Sequence, residues 1–204
     1  MAGLALKLIV GLGNPGPEHA ETRHNAGYWC VDRLAASAGG SLRPHARYHG
    51  DVGRITLAGR ELWLLKPTTY MNRSGLAVRA LTDYLRIAPD ETLVAHDDLD
   101  LPAGAVRLKL GGGPGGHNGV RDLITQIGDG FWRLRFGIGH PGSRQEVIDY
   151  VLRCAPAEEQ ALLDEAIEAG AAAIPRLLVD GAEKVMSGLT TIEEILRVTQ
   201  EDLV

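Results

Sequence analysis

His24 and Asp97 are the side chains in this sequence best suited to activating a water molecule. A carboxylate that accepts from one imidazole nitrogen fixes the tautomer and supports the protonated ring, leaving the second nitrogen to take a proton. Sequence spacing alone does not prove that the two meet. Asn14 in GNPG, Asn72 in MNRSG and Asn118 in GGHNG sharpen the reading, because neutral amides can hold a carbonyl and its developing oxyanion without titrating. Asparagine also favours turns for backbone reasons alone. Two other chemistries compete. HDDLD, residues 96–100, offers four metal ligands in five positions, and His24, His117 and His140 could complete a shell, although no HxxxH and no regular acid spacing appears. GGGPGGHN, residues 111–118, has the glycines of a phosphate cradle, but GxxxxGK[ST] is absent. The GxGxxG match at Gly111, Gly113 and Gly116 is weak inside a glycine run.

These residues fall just after apolar segments. Leu6–Leu12 reads as a strand buried on both faces. Tyr28, Val31, Leu34, Ala35 and Ala38 follow at helical spacing, and Gly39-Gly40 ends that helix. Residues 46–66 read as a hairpin about AGR, and Asn72–Leu85 as a helix. Thr92–Ala95, Val106–Leu110 and Leu134–Ile138 are expected strands, and Val120, Leu123, Ile124 and Ile127 mark a helix. After Pro141 the pattern is helical only, with Leu162, Leu163, Ala166 and Ile167 on a buried face and Pro175 expected to kink or end the helix. Alternating strands and helices predict an α/β, single globular three-layer domain with a helical C-terminal segment and at most a weak boundary near residue 145. If the sheet is largely parallel, its strand ends share one edge and the polar residues converge there.

Composition narrows the setting. A chain of 204 residues with 45% hydrophobic content suits one sizeable core. Leu8–Leu12 is too short for a signal peptide and no apolar run suits a membrane span, so a cytoplasmic protein with no membrane partner is expected. Cys30 and Cys154 follow no CxxC spacing, lie in segments that look helical, and are expected to be core thiols. The net charge of −5 hides an uneven distribution: residues 1–144 hold 17 Lys+Arg against 13 Asp+Glu, and residues 145–204 hold 4 against 13. The body of the chain is mildly basic.

The segments GLGNPGPEHAETRHNAG, KPTTYMNRSG, HDDLDLPAG, GGGPGGHNG and FGIGHPG, in that order, closely resemble the bacterial-type peptidyl-tRNA hydrolases over nearly the whole chain, from about residue 7 to beyond residue 185. The resemblance implies a twisted mixed β-sheet between helices and hydrolysis of the ester joining a peptide to the 3′ end of tRNA. It implies that His24 is the catalytic base and Asp97 its orienting partner, with no cofactor and no metal. Asn14, Asn72 and Asn118 would hold the peptide and the reacting carbonyl, His117 would line the same cleft, and Tyr70 would supply an aromatic wall. Lys109 and Arg135 would meet phosphates of the acceptor arm, with Arg107 and Arg133 as helpers. His19 stands where that family commonly has an aromatic residue, and the tail TTIEEILRVTQEDLV is acidic where relatives often carry basic residues. A tail of that sign is not expected to touch RNA. A monomer without an obligatory protein partner is expected, since no exposed heptad pattern appears. A nucleic-acid-binding module without catalysis and a metal-dependent nuclease are the competing functions. The first would not need the His24–Asp97 pair; the second would lose activity with a chelator and cut phosphodiesters.

Overall fold

The computed structural model describes residues 3–181; the acidic tail lies outside the described residues. The first apolar run forms β1 (Leu8–Gly11), buried at every position. Among the described residues it lies in the middle of a seven-stranded sheet ordered β2-β3-β4-β1-β5-β7-β6. A strand with neighbours on both edges and helices on both faces must be apolar throughout. β4 (Arg60–Pro67) and β5 (Thr92–Asp98) flank it in parallel, and β7 (Trp132–Gly137) pairs in parallel with β5. These four strands therefore end on one edge. β3 (Gly50–Leu57) joins β4 through Ala58-Gly59, both at positive φ, as a two-residue hairpin turn requires. β2 (Arg43–His45), three exposed residues with no period to reveal them, pairs outside β3.

α1 (Ala26–Ser37) and α5 (Ala157–Asp180) belong to the core on one face, with Ile9, Ala95, Leu134 and Phe136. α2 (Ser74–Leu85) and α3 (Asn118–Ile127) belong to the core on the other, with Leu8, Val10 and Val94. The alternation of Leu8, Ile9 and Val10 between the two cores is the two-residue period of a strand. The result is the expected α/β architecture, a mixed sheet flanked by helices, completed by the short α4 (Val147–Val151).

Several expectations need correction. β6 (Val106–Leu110) runs antiparallel to β7 and ends at Trp132, the start of that strand. The glycine loop therefore leaves the sheet at the edge opposite the other polar loops. Pro175 does not end α5, which continues to Asp180; buried Ile174, Leu177 and Leu178 hold that stretch against the core despite the missing N–H. Cys30 is buried as expected, but Cys154 is exposed and lies in an isolated bridge to Thr22, outside any helix. Leu162 is exposed too, although Leu163, Ala166 and Ile167 are buried. Among the described residues no helix is long and apolar enough to cross a membrane.

One close approach places the turn before α1. A Cβ on Gly27 would collide with the carbonyl oxygen of Ala95 and come within 2.5 Å of the Leu12 nitrogen. α1 thus starts directly against β1 and β5, which carries residues 23–25 to the strand ends. Gly27→Ala should destabilise the fold by about 2 kcal/mol or more, because backbone on both sides cannot yield. A denaturant midpoint equal to that of the parent would contradict this packing.

Candidate active site

The end of β5 delivers Asp97, buried beside two imidazoles. His24 comes from the single 3-10 turn Arg23–Asn25 before α1, and its Nδ1 lies 3.0 Å from both Asp97 carboxylate oxygens. His117 comes from the far end of the glycine loop, and its Nε2 lies 3.1 Å from Asp97 Oδ1. His117 is also the N-cap of α3: its Nδ1 accepts from the Val120 N–H at 3.3 Å. That bond assigns the tautomer, because a ring that accepts at Nδ1 carries its proton on Nε2 and donates to Asp97. His24 donates from Nδ1, which leaves its Nε2 as a lone pair in the cleft.

The electrostatics separate the two rings. Burial alone would raise the Asp97 carboxyl, but the charges and hydrogen bonds of His24 and His117 outweigh it and hold the group well below the usual carboxylate range. Burial would lower His24, yet the Asp97 charge and hydrogen bond prevail and raise it above 6.5. For His117 burial prevails over the same carboxylate and the ring is shifted down. His96, whose ring meets that of His117 edge-on at 4.9 Å, is also driven far down, first by burial and then by His117. Of the three histidines, His24 is the one positioned to gain a proton.

Asn14 is fixed by its neighbours. Asn25 clasps the Asn14 backbone at two points: its Oδ1 accepts from the Asn14 N–H at 2.8 Å and its Nδ2 donates to the Asn14 carbonyl at 3.0 Å. The Asn14 side-chain oxygen accepts from the Met71 N–H at 2.8 Å. The Asn14 amide oxygen is thereby occupied, and its Nδ2 has no protein acceptor among the described bonds. Asn72 sits in the turn Met71–Arg73 before α2, and Asn118 opens α3 with its Oδ1 accepting from Arg121 at 2.7 Å. Asn14, Asn72, Asn118, His24, Asp97, His117 and Tyr70 all line one cleft of about 260 Å³. The ring of His19 packs edge-on to Tyr70 at 6.5 Å, so an aromatic contact persists there. Val147, Ile148, Val151 and Leu152 of α4 and its end form an apolar wall. That wall, Asn25, and the Met71 N–H were not found by sequence reasoning; the asparagine in RHNAG was the one available signal.

The four cations on β6 and β7 divide by depth. Lys109 pairs across the ladder with Arg133 and Arg107 with Arg135, which places all four on one face. Lys109 is exposed. Arg135 donates from Nε to Asp98 Oδ2 at 2.6 Å and is half-buried. Arg107 donates to its neighbour's carbonyl, that of Val106, at 3.0 Å. Arg133 does not match its expected role as a phosphate helper: it is 3% exposed and donates to the carbonyls of Gly112 and Gly113. It fastens the glycine loop to the sheet. Gly111, Gly112, Gly115 and Gly116 all have positive φ, and a Cβ at Gly113 or Gly116 would meet nothing. Positive φ at these four positions is what glycine supplies to the shape of the loop.

The ligand atoms of His24, Asp97 and His117 lie within 4.8 Å of one another, a set that could be read as a metal site. The donor chemistry does not fit one. A metal needs imidazole lone pairs directed at it, whereas both rings direct N–H groups at the carboxylate. The cluster is a hydrogen-bonded dyad supported by a third ring.

Residues 8–195 match the family described as Peptidyl-tRNA hydrolase. The chain is similar to the peptidyl-tRNA hydrolase of Edwardsiella ictaluri, at 53% identity over 91% of this chain and 96% of the relative. Similarity to the enzyme of Serratia proteamaculans is 51% over 91% and 95%. Among solved structures, peptidyl-tRNA hydrolase from Acinetobacter baumannii superposes with a TM-score of 0.87 at 48% identity, covering 94% of this chain and 96% of that one.

The opposed shifts give a direct test by histidine NMR. His24 should titrate above 6.5, the ordinary value, and His117 below it. Asp97→Asn removes the charge that raises His24, so its midpoint should fall. A His24 midpoint that does not move in that variant would contradict the pairing.

Proposed function

This chain belongs to the peptidyl-tRNA hydrolase family and hydrolyses peptidyl-tRNA, and we propose that His24 performs the reaction by activating water in the cleft described above. The observation that carries this reading is the contact of His24 Nδ1 with both oxygens of Asp97, which leaves Nε2 as the base. Water gives a proton to Nε2 as its oxygen attacks the ester carbonyl carbon. The tetrahedral oxyanion is met by the Asn14 amide, whose own oxygen is held back by Met71. Collapse breaks the bond to the terminal ribose, and the proton on His24 passes to the departing hydroxyl oxygen. One water is consumed, and tRNA and peptide are released. No covalent enzyme intermediate is needed, and an activated water requires neither metal nor cofactor.

Asn72 and Asn118 hold the peptide backbone, and Tyr70, 62% exposed at the rim, lies against it. Lys109 and Arg135 meet acceptor-arm phosphates with Arg107 beside them, while Arg133 acts only through the loop. The chain is read as a single-domain cytoplasmic monomer with no membrane partner and no obligatory protein partner. Free aminoacyl-tRNA is a poor substrate on this reading, because it lacks the peptide bond that the asparagines hold.

Release of the labelled acyl group from an N-blocked aminoacyl-tRNA tests the assignment. His24→Ala should reduce turnover by about a hundred- to ten-thousandfold in a folded protein, and near-parent turnover would exclude His24 as base. A neutral base gains activity as pH rises through its pKa, so the acid limb of the rate should have its midpoint above 6.5 and move lower in Asp97→Asn. Chelator should leave turnover unchanged. For the RNA face, Lys109→Ala should weaken binding and reduce the slope of log affinity against log salt by about one. An unaltered slope would remove Lys109 from the phosphate contacts.

A further inference from the structure

Arg23 precedes the proposed base, is 5% exposed, and takes no part in the steps above. Its Nη1 donates to the carbonyls of Tyr150, Arg153 and Cys154 at 3.2, 3.2 and 3.1 Å. Its Nη2 donates to Glu159 at 2.8 Å, and the guanidinium lies 4.1 Å over the ring of Tyr150. The Arg23 N–H donates to the Arg153 carbonyl at 3.2 Å. These carbonyls lie at the end of α4 and just beyond it, where a helix leaves acceptors unsatisfied and favours a cation. α4 has five residues, too few to persist without tertiary support. Its Ile148 is 67% exposed in the cleft wall, so the protein itself leaves that apolar surface uncovered.

We propose that Arg23 is a positioning residue that sets affinity for peptidyl-tRNA by docking α4, the apolar wall of the cleft, onto the turn that carries His24. The proposal rests on the reading that substrate occupies this cleft. A docked wall offers the substrate a surface already ordered, whereas a loose one must be ordered during binding and weakens it. The His24–Asp97 contact does not include Arg23, whose side-chain bonds go to residues 150–159. Loss of Arg23 therefore acts on binding and not on water activation. Lysine is no substitute, because one ammonium cannot span three carbonyls and a carboxylate while lying flat on a ring.

Steady-state kinetics and amide hydrogen exchange on the full chain test this with Arg23→Lys and Ile148→Ser. Arg23→Lys should raise KM about tenfold, keep kcat and the midpoint of the acid limb near the parent values, and speed exchange selectively across residues 147–152. Ile148→Ser should raise KM as well. A parent-like KM and exchange in Arg23→Lys, with KM raised in Ile148→Ser, would overturn the role of Arg23 and leave the cleft intact. Loss of kcat at unchanged KM, or faster exchange spread over the whole chain with no KM change, would overturn it equally. An unchanged KM in Ile148→Ser would overturn the placement of substrate in this cleft, whatever Arg23→Lys does. If Arg23→Lys fails to fold, Glu159→Ala, at a partly exposed position, removes one partner: a raised KM with faster exchange at 147–152 supports the proposal, and no change in either refutes it.

Discussion

A carboxylate enclosed as Asp97 is tolerated only with donors to its charge, because an unpaired buried anion is too costly to keep. The fold supplies those donors from both sides. His24 arrives with α1, from the layer that packs on Ile9 and Ala95, and His117 with α3, from the layer that packs on Val10 and Val94. Side chains from opposite layers can meet only where the sheet stops, and β5 ends at Asp98, the next residue. The parallel pairing of β4, β1, β5 and β7 puts Asn14 and Asn72 on the same edge. The need to bury and satisfy one carboxylate thus ties the two helical layers to this edge.

The two imidazoles share an acceptor but not a role. A ring that must accept from Val120 to start α3 has its second nitrogen committed to Asp97, so His117 has no free lone pair. His24 serves no cap: among the described hydrogen bonds its ring engages Asp97 alone, and it lies tilted against the His117 ring with centroids 4.8 Å apart. The lowering of His117 and His96 follows first from their burial. A neutral His117 and a neutral His96 leave the Asp97 charge to support protonation at His24. The arrangement thus distinguishes two imidazoles that share one carboxylate.

Much of this could be read from residue order, and the exceptions share a cause. Periodicity marked α1, α2 and α3, because each has one apolar face repeated several times, while β1 showed as an apolar run buried on both faces and the hairpin through its AGR turn. β2 was invisible: Arg43, Pro44 and His45 are exposed and have no apolar period to display. The motifs located His24, Asp97 and the asparagines, but Asn25 escaped because its work is done on a neighbouring backbone and not on substrate. α4 escaped because five residues carry less than two turns of pattern. The orientation of β6 also lay beyond the sequence, since Val106–Leu110 alternates identically whichever way it runs.

That orientation changes the meaning of GGGPGGHN. β6 ends beside Trp132, four ladder positions from the Phe136 that faces Asp97, so the loop must climb about 13 Å along the sheet at the usual rise per residue. Positive φ at four of its glycines bends it, and Arg133 secures it midway through the carbonyls of Gly112 and Gly113. Lys109 stands at the foot of the climb and His117 at its head. Arg133 and Arg135 are the same residue type, two positions apart on one face, and no pattern of types distinguishes them. Only depth does: one guanidinium is used up inside on a loop, and the other is anchored at Asp98, next to Asp97. A basic strand offers a cation to solvent only where the loop above leaves it uncovered, and here the glycine loop takes Arg133 and leaves Lys109 exposed.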